Sequence, residues 1–294
     1  MYVGRFAPTP SGDLHFGSLV TAIASYCDAK SVGGQWLLKI DDIDKQRVKS
    51  YSVQSILKTL ESLNLFWDLT ESYQSHRLDE YEFYFEKLSG MNKTYRCDCT
   101  RKYISNNAKL GEDGYIYPGF CKNKELMNNN SFATRMDVNE IPIAVEDQIQ
   151  GKLSQNLSKE IGDFVIKRND GQFSYQFSVC VDNKLDKITN IVRGSDLLSS
   201  TPRQVYLQKL LDFDIPKFSH IPIATINKKK ISKSDDYKIL IISNQKDIWV
   251  KVLNFLNQPI SKSFSQMNLE EIIEYAIKNW AMEKISPLHS IDIS

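Results

Sequence analysis

The order of elements across residues 3–40 constrains the fold of this chain more than any other feature. Val3–Phe6 reads as a short buried strand, and Pro8, Pro10 and Gly12 punctuate the loop after it. From Ser18 onward, Leu19, Ile23 and Tyr26 fall at helical spacing, as do Val20, Ala24 and Cys27, with Gly33 and Gly34 as the stop signal. Residues 36–40 read as the next strand. A strand, a crossover helix and a second strand make a βαβ unit, so an α/β fold is expected, with helices packed on a parallel sheet.

Two amphipathic helices follow. Val53, Ile56, Leu57, Leu60 and Leu63 form one apolar face, and Leu78, Tyr81, Phe85 and Leu88 another. Asn128, Asn129 and Asn130 read as a polar surface turn. Residues 164–168 and 172–181 read as a hairpin about Asn169-Asp170-Gly171, with Phe173, Tyr175, Phe177, Val179 and Val181 on one face of its second strand. Thr201 and Pro202 supply a cap and a first-turn proline for a further helix. Beyond Ser234 the pattern is mostly helical, with apolar segments around Trp249 and from Leu269 to Trp280. No internal repeat is present.

The formal net charge is +1, so overall attraction does not draw this chain onto nucleic acid, and any RNA contact must come from a local basic surface. The first residues lack the basic, apolar and small-residue progression of a secretory signal, and no apolar stretch approaches the length of a membrane span. Of five cysteines, an odd number, three crowd into residues 97–121. That clustering points to a metal site in a reducing compartment rather than a disulfide framework, and a cytoplasmic protein without a membrane partner is expected.

Two constellations carry chemistry. In the first, His15 and Gly17 sit where a strand hands over to a helix N-terminus. Free N–H groups there favour phosphate, glycine admits a flat adenine, and an imidazole can donate to an α-phosphate as it becomes five-coordinate. The plain alternative is a turn with a solvent-facing histidine. In the second, Lys230-Ile231-Ser232-Lys233-Ser234 follows Lys228 and Lys229. It reads either as a solvated loop or as ammonium groups that neutralise a departing pyrophosphate.

Together the two motifs resemble the HIGH and KMSKS signatures of the class I aminoacyl-tRNA synthetases. Residues 4–17, Asp41 with its neighbours, and Arg193-Gly194-Ser195-Asp196 look like the glutamyl subgroup, and the resemblance covers residues 2–235. It implies a Rossmann-type class I synthetase catalytic domain with an inserted zinc-bearing, acceptor-facing subdomain and a short helical C-terminal region. The halves of the catalytic domain would be residues 1–94 and 166–235, the insertion 95–165 and the helical region 236–294. Catalytic residues would be His15, Gly17, Ser18, Lys230 and Lys233, with His15, Gly17 and Lys233 on ATP. Arg5 would meet a substrate carboxylate with Thr9 beside it, Asp41 the α-amino group, and Tyr175 and Arg193 would complete a glutamate pocket. The family usually has glutamate where Asp41 stands, and a second histidine where Ser18 stands.

Cys97-x-Cys99 followed by Tyr117-x-x-x-Cys121 offers zinc three thiolates. Read from spacing, the fourth position is open to Tyr117, Tyr115 or water, and three free thiols is the other reading. The pattern resembles the Cys-x-Cys…Tyr-x-x-x-Cys site of the glutamyl-Q tRNA(Asp) synthetases, which implies one structural zinc ion held by Cys97, Cys99, Tyr117 and Cys121. About sixty residues follow Ser234, too few for anticodon-reading domains of ordinary size, which also fits that subgroup. The resemblance implies glutamate, ATP with Mg²⁺, and queuosine-containing tRNA(Asp) as substrates, and a monomer. The rival expectations are a truncated enzyme charging the 3′ end of tRNA(Glu) and an inactive RNA-binding paralogue. Cys27 and Cys180 are expected in the core, and His76 and His220 carry no assigned role.

Overall fold

The computed structural model describes residues 1–125, 131–230 and 244–294. β1 (Val3–Phe6) runs buried into the proline loop, and α1 (Phe16–Ser31) carries the chain back to β2 (Gln35–Ile40). β1 and β2 pair in parallel, so the βαβ unit read from residues 3–40 is present. The helix begins two residues before Ser18 because His15 is its cap, accepting the Ser18 N–H on Nδ1 at 3.2 Å. α2 (Ser52–Ser62) buries Ile56 and Leu60, and β3 (Ser72–Tyr73) extends the sheet in parallel beside β2. α3 (Leu78–Gly90) buries Tyr81 and Leu88, whereas Leu78, on the same face by spacing, is exposed at the helix start.

The cysteine segment occupies β4 (Thr94–Cys97), α4 (Arg101–Asn107) and the small hairpin of β5 (Lys109–Gly111) and β6 (Gly114–Ile116). β7 (Ala133–Met136) pairs antiparallel with β4. β8 (Ile143–Asp147) and β9 (Gly151–Gln155) form a second hairpin, α5 (Leu157–Glu160) is a single turn, and β10 (Val165–Lys167) covers the other edge of β7.

The next segment corrects an expectation. Gly171, with φ +83°, makes the turn after Asn169 and Asp170, but the returning strand is a single bridge between Lys167 and Phe173. From Tyr175 the chain is helical, α6 (Tyr175–Leu185). Phe177 through Asn183 are all buried, because α6 is enclosed on several sides, by α3 among others. A helix buried all round loses its polar stripe, and the run Val179-Cys180-Val181 then imitates a strand.

β11 (Asn190–Gly194) precedes α7 (Thr201–Leu211), whose second residue is Pro202. Thr201 does not cap this helix as its position promised. Its N-cap is Ser200, without a side-chain hydrogen bond, and the Thr201 hydroxyl accepts from Arg193 instead. β12 (Lys217–Ile221) pairs in parallel with β11 and, through Phe218 and Asp147, with β8. Thr189 joins the two parallel sheets, its N–H donating to the Val3 carbonyl at 2.9 Å. β13 (Ile223–Ile226) turns back into β14 (Lys229–Lys230). α8 (Gln245–Phe255) and α9 (Leu269–Lys278) supply the expected helices, but β15 (Ser290–Asp292) then adds a strand parallel to β13. Asn128, Asn129, Asn130, Ile231, Ser232, Lys233 and Ser234 lie outside the described residues. Among the described residues, no helix is long and apolar enough to cross a membrane.

The two terminal helices are built into the first core. Trp249 is fully buried, stacks edge-on to Tyr26 at 6.5 Å between ring centroids, and donates its indole N–H to the Leu63 carbonyl at 3.0 Å. Trp249→Ala is expected to lower stability by roughly 3–5 kcal/mol in urea denaturation. Trp249→Phe, which keeps much of the volume but unpairs that carbonyl, should cost about 1–3 kcal/mol.

Candidate active site

A cavity of about 300 Å³ opens where the carboxyl ends of β1 and β11 meet the start of α1. Arg5 reaches it from β1, Thr9 from the following loop and Asp41 from just beyond β2. His15, Gly17 and Ser18 line it from the helix start, Tyr175 from the first residue of α6 and Arg193 from β11. Every pocket residue named from the sequence that the structure describes is therefore brought together around one space. Of the lysine motif, Lys230 has its backbone in β14, while Lys233 lies outside the described residues.

His15 and Gly17 act as a pair. Because Nδ1 accepts the Ser18 N–H, the neutral ring carries its proton on Nε2. A Cβ on Gly17 would lie 3.2 Å from the His15 Cε1, closer than the ring tolerates without tilting. Glycine therefore keeps both the imidazole and the helix N-terminus accessible.

The charged lining is unusual for its burial. Arg5 is only 5% exposed, and its Nε donates to Asn183 Oδ1 at 3.4 Å. Burial, with repulsion from Arg193, lowers its pKa to about 10. Asp41 is 7% exposed, and among the described residues its Oδ1 has no hydrogen-bond partner. Burial first, then the negative Asp182, raises its pKa to about 7, against the pull of Lys39 and Arg5. Asp182 is in turn held by Lys39 at 2.8 Å, Arg77 at 3.2 Å, Tyr81 Oη at 2.7 Å and Gln74 Nε2 at 2.8 Å.

Sequence reasoning missed the residues behind Arg193. His220, to which it gave no role, is fully buried and accepts the Arg193 Nε–H on its Nε2 at 2.9 Å. Asp147 lies 2.6 Å from the other ring nitrogen. A lone histidine without a motif gave no signal, and Asp147 reaches it only through the pairing of β8 with β12.

The second cluster lies apart from this cavity. The sulfurs of Cys97, Cys99 and Cys121 all lie within 4.8 Å of one another. Tyr117 Oη stands 3.2 Å from Cys97 Sγ and 3.4 Å from Cys99 Sγ. Arg135 donates Nε–H to Cys97 Sγ at 3.2 Å and lies over the Tyr117 ring at 3.7 Å, offsetting negative charge there. Burial opposes ionisation of Cys97, but hydrogen bonds with Tyr117 and Arg135 hold its thiol below the ordinary value. The cluster rests on Gly162, at φ +74°, where an added Cβ would fall 2.1 Å from the Tyr117 carbonyl oxygen. These donors are suited to a tetrahedral metal ion. Cys27 and Cys180 are buried core thiols, as expected.

The family described as the catalytic domain of class I tRNA synthetases for E and Q matches residues 2–284. A glutamyl-Q tRNA(Asp) synthetase of Neisseria meningitidis serogroup A is 39% identical over 295 residues, covering 99% of this chain and 99% of the relative. One from Pseudomonas putida is 41% identical over 286 residues, covering 97% and 95%. Among solved structures, a glutamate tRNA ligase from Elizabethkingia meningosepticum in complex with its amino acid superposes with a TM-score of 0.81 at 24% identity. The match covers 100% of this chain and 67% of that one, and at that identity it shows the shared fold.

Asp41 makes the site's electrostatics measurable. Because the folded state binds its proton more tightly than the unfolded chain, Asp41 subtracts stability as pH rises from the ordinary value of 3.8 through about 7. Asp41→Asn removes that penalty. The variant is expected to gain more stability over the parent at pH 8 than at pH 5, read by urea denaturation at both.

Proposed function

The chain belongs to the class I tRNA synthetases for glutamate and glutamine, and we propose that it activates glutamate with ATP and transfers it to queuosine at the wobble position of tRNA(Asp). The observation that carries the glutamate reading is the unpartnered Oδ1 of buried Asp41 in a cavity whose other buried charges are Arg5 and Arg193. A buried carboxylate oxygen without a hydrogen-bond partner calls for a donor such as an ammonium, and two buried guanidiniums call for carboxylates. Glutamate presents one ammonium and two carboxylates. The choice of acceptor rests on relatives that are similar over nearly their whole length and are named for that acceptor.

In the first step, the glutamate α-carboxylate attacks the α-phosphorus of ATP, forming glutamyl-adenylate and expelling pyrophosphate. Asp41 holds the ammonium, Arg5 and Thr9 one carboxylate, and Tyr175 with Arg193 the other. His15 donates its Nε2–H to the α-phosphate as charge accumulates, and the N–H groups at the start of α1, exposed by Gly17, add to that stabilisation. Lys230 and Lys233 neutralise the departing pyrophosphate, and Mg²⁺ accompanies the triphosphate. In the second step a queuosine hydroxyl attacks the activated carbonyl, and AMP leaves. No covalent enzyme intermediate is needed, since positioning and charge stabilisation supply the acceleration.

Cys97, Cys99, Cys121 and Tyr117 would hold one zinc ion, which pins the segment around β4 to β6. Its chemistry is structural.

Two measurements test these assignments. Labelled glutamate, with ATP and Mg²⁺, is expected to appear on tRNA from queuosine-containing cells and not on tRNA from queuosine-lacking cells. Equal labelling of both pools would instead indicate charging of tRNA(Glu). For the metal, the purified protein should contain one equivalent of zinc by plasma mass spectrometry. Cys99→Ser should lower that content severalfold while leaving Cys27 and Cys180 buried.

A further inference from the structure

The hydrogen bonds around Arg193 form a directed chain. Asp147 Oδ1 accepts three backbone N–H groups, from Ile149 at 3.0 Å, Gln150 at 2.9 Å and His220 at 3.1 Å. Although burial opposes it, the contact with His220 and these N–H groups hold the Asp147 carboxyl below its ordinary range. An ionised carboxylate only accepts, so His220 Nδ1 carries the proton it shares with Asp147 Oδ2 at 2.6 Å. His220 Nε2 is then an acceptor, and it meets the Arg193 Nε–H and, at 3.2 Å, the Thr201 hydroxyl.

Arg193 has five N–H donors, and its partners account for four of them. Nε takes His220, Nη2 takes the Thr201 hydroxyl at 2.8 Å and the Leu197 carbonyl at 3.4 Å, and Nη1 takes Tyr175 Oη at 3.3 Å. Among the described residues, one Nη1–H has no partner. Because Tyr175 Oη accepts from Arg193, its own O–H is directed elsewhere. Both residues line the cavity, so the Tyr175 hydroxyl and that Nη1–H are the donors this pair can offer to a ligand there.

We propose that Asp147 and His220 are positioning residues that hold the Arg193 guanidinium in place and, through it, orient the Tyr175 hydroxyl, so that this wall accepts a carboxylate and rejects a carboxamide. The inference rests on the glutamate reading given above. Two donors suit both oxygens of a carboxylate. Glutamine would turn its own –NH₂ toward one of them, leaving donor against donor in a buried site. Selectivity for glutamate over glutamine is thus set behind the pocket, by an aspartate that touches no substrate. If the polarity of Asp147 reverses, His220 Nε2 becomes a donor, and the guanidinium, which can only donate, loses that anchor and shifts.

Asp147→Asn is the isosteric test. Its oxygen must still face the three backbone N–H groups, so its –NH₂ faces His220 Nδ1 and forces the proton onto Nε2. Nε2–H would then oppose the Arg193 Nε–H. In ATP–pyrophosphate exchange the variant is expected to raise KM for glutamate roughly tenfold and to lower the glutamate-to-glutamine ratio of kcat/KM by at least about tenfold. KM for ATP should stay within about threefold. His220→Leu should do the same, and His220→Gln, whose amide offers an acceptor to Arg193 and a donor to Asp147, should recover most of the selectivity. Thermal melts identify any variant that fails to fold, and the Gln variant then carries the test.

Unchanged selectivity in folded Asp147→Asn and His220→Leu proteins would overturn the proposal. So would equal loss of glutamate and ATP affinity without recovery in His220→Gln. If the parent protein shows no glutamate-dependent exchange, the functional reading fails by itself. Calorimetric titration of parent and variants with glutamate and glutamine then decides the positioning role, and a parent that binds neither overturns both.

Discussion

The pocket depends on one buried carboxylate that never reaches it. Asp182 has no exposed surface, and its oxygens meet Lys39 from β2, Gln74 from the turn before α3, and Arg77 and Tyr81 from around the start of α3. As Asp182 itself stands on α6, this one group ties together the sheet and both helices. A pair such as Lys39 and Asp182 adds little net stability, because desolvation offsets the attraction. Removing one partner is costly, about 3–5 kcal/mol, since the other is left buried and uncompensated. The pair is better understood as fixing geometry. It also sets the field at Asp41, because Asp182 raises the proton affinity of that carboxyl while Lys39 lowers it.

The contrast between the two arginines follows from their supports. Among the described residues, Arg5 has one weak side-chain hydrogen-bond partner, Asn183, whereas Arg193 is gripped on Nε and both terminal nitrogens. One guanidinium is held by its burial and the other by a hydrogen-bonded frame. Placing both within one cavity, opposite Asp41, gives the site a charge pattern that complements a small zwitterion with one extra carboxylate.

What could be read in advance divides along physical lines. The βαβ start was legible because Leu19, Ile23 and Tyr26 keep helical period and Gly33 and Gly34 end it. The thiol cluster was legible from local spacing, and the structure assembles Cys97, Cys99 and Cys121 with Tyr117 alongside. The pocket residues were legible only through resemblance, since neither Tyr175 nor Arg193 differs by pattern from an ordinary aromatic or charge. α6 was misread because its burial erases the polar stripe that marks a helix. The partnership of Asp147 with His220 spans 73 positions and depends on a parallel pairing that no local pattern encodes. The structure gathers the lining residues around one cavity, and Lys233 lies outside the described residues.

Gly162 carries a consequence for how this protein can vary. Its backbone meets that of Tyr117 as an isolated parallel bridge, at a positive φ, with no room for a carbon between them. Position 162 admits only hydrogen as a side chain. The segment that gathers the cysteines is therefore tied to the rest of the fold at a point where drift is forbidden. Divergence of its outer surface proceeds from that fixed point.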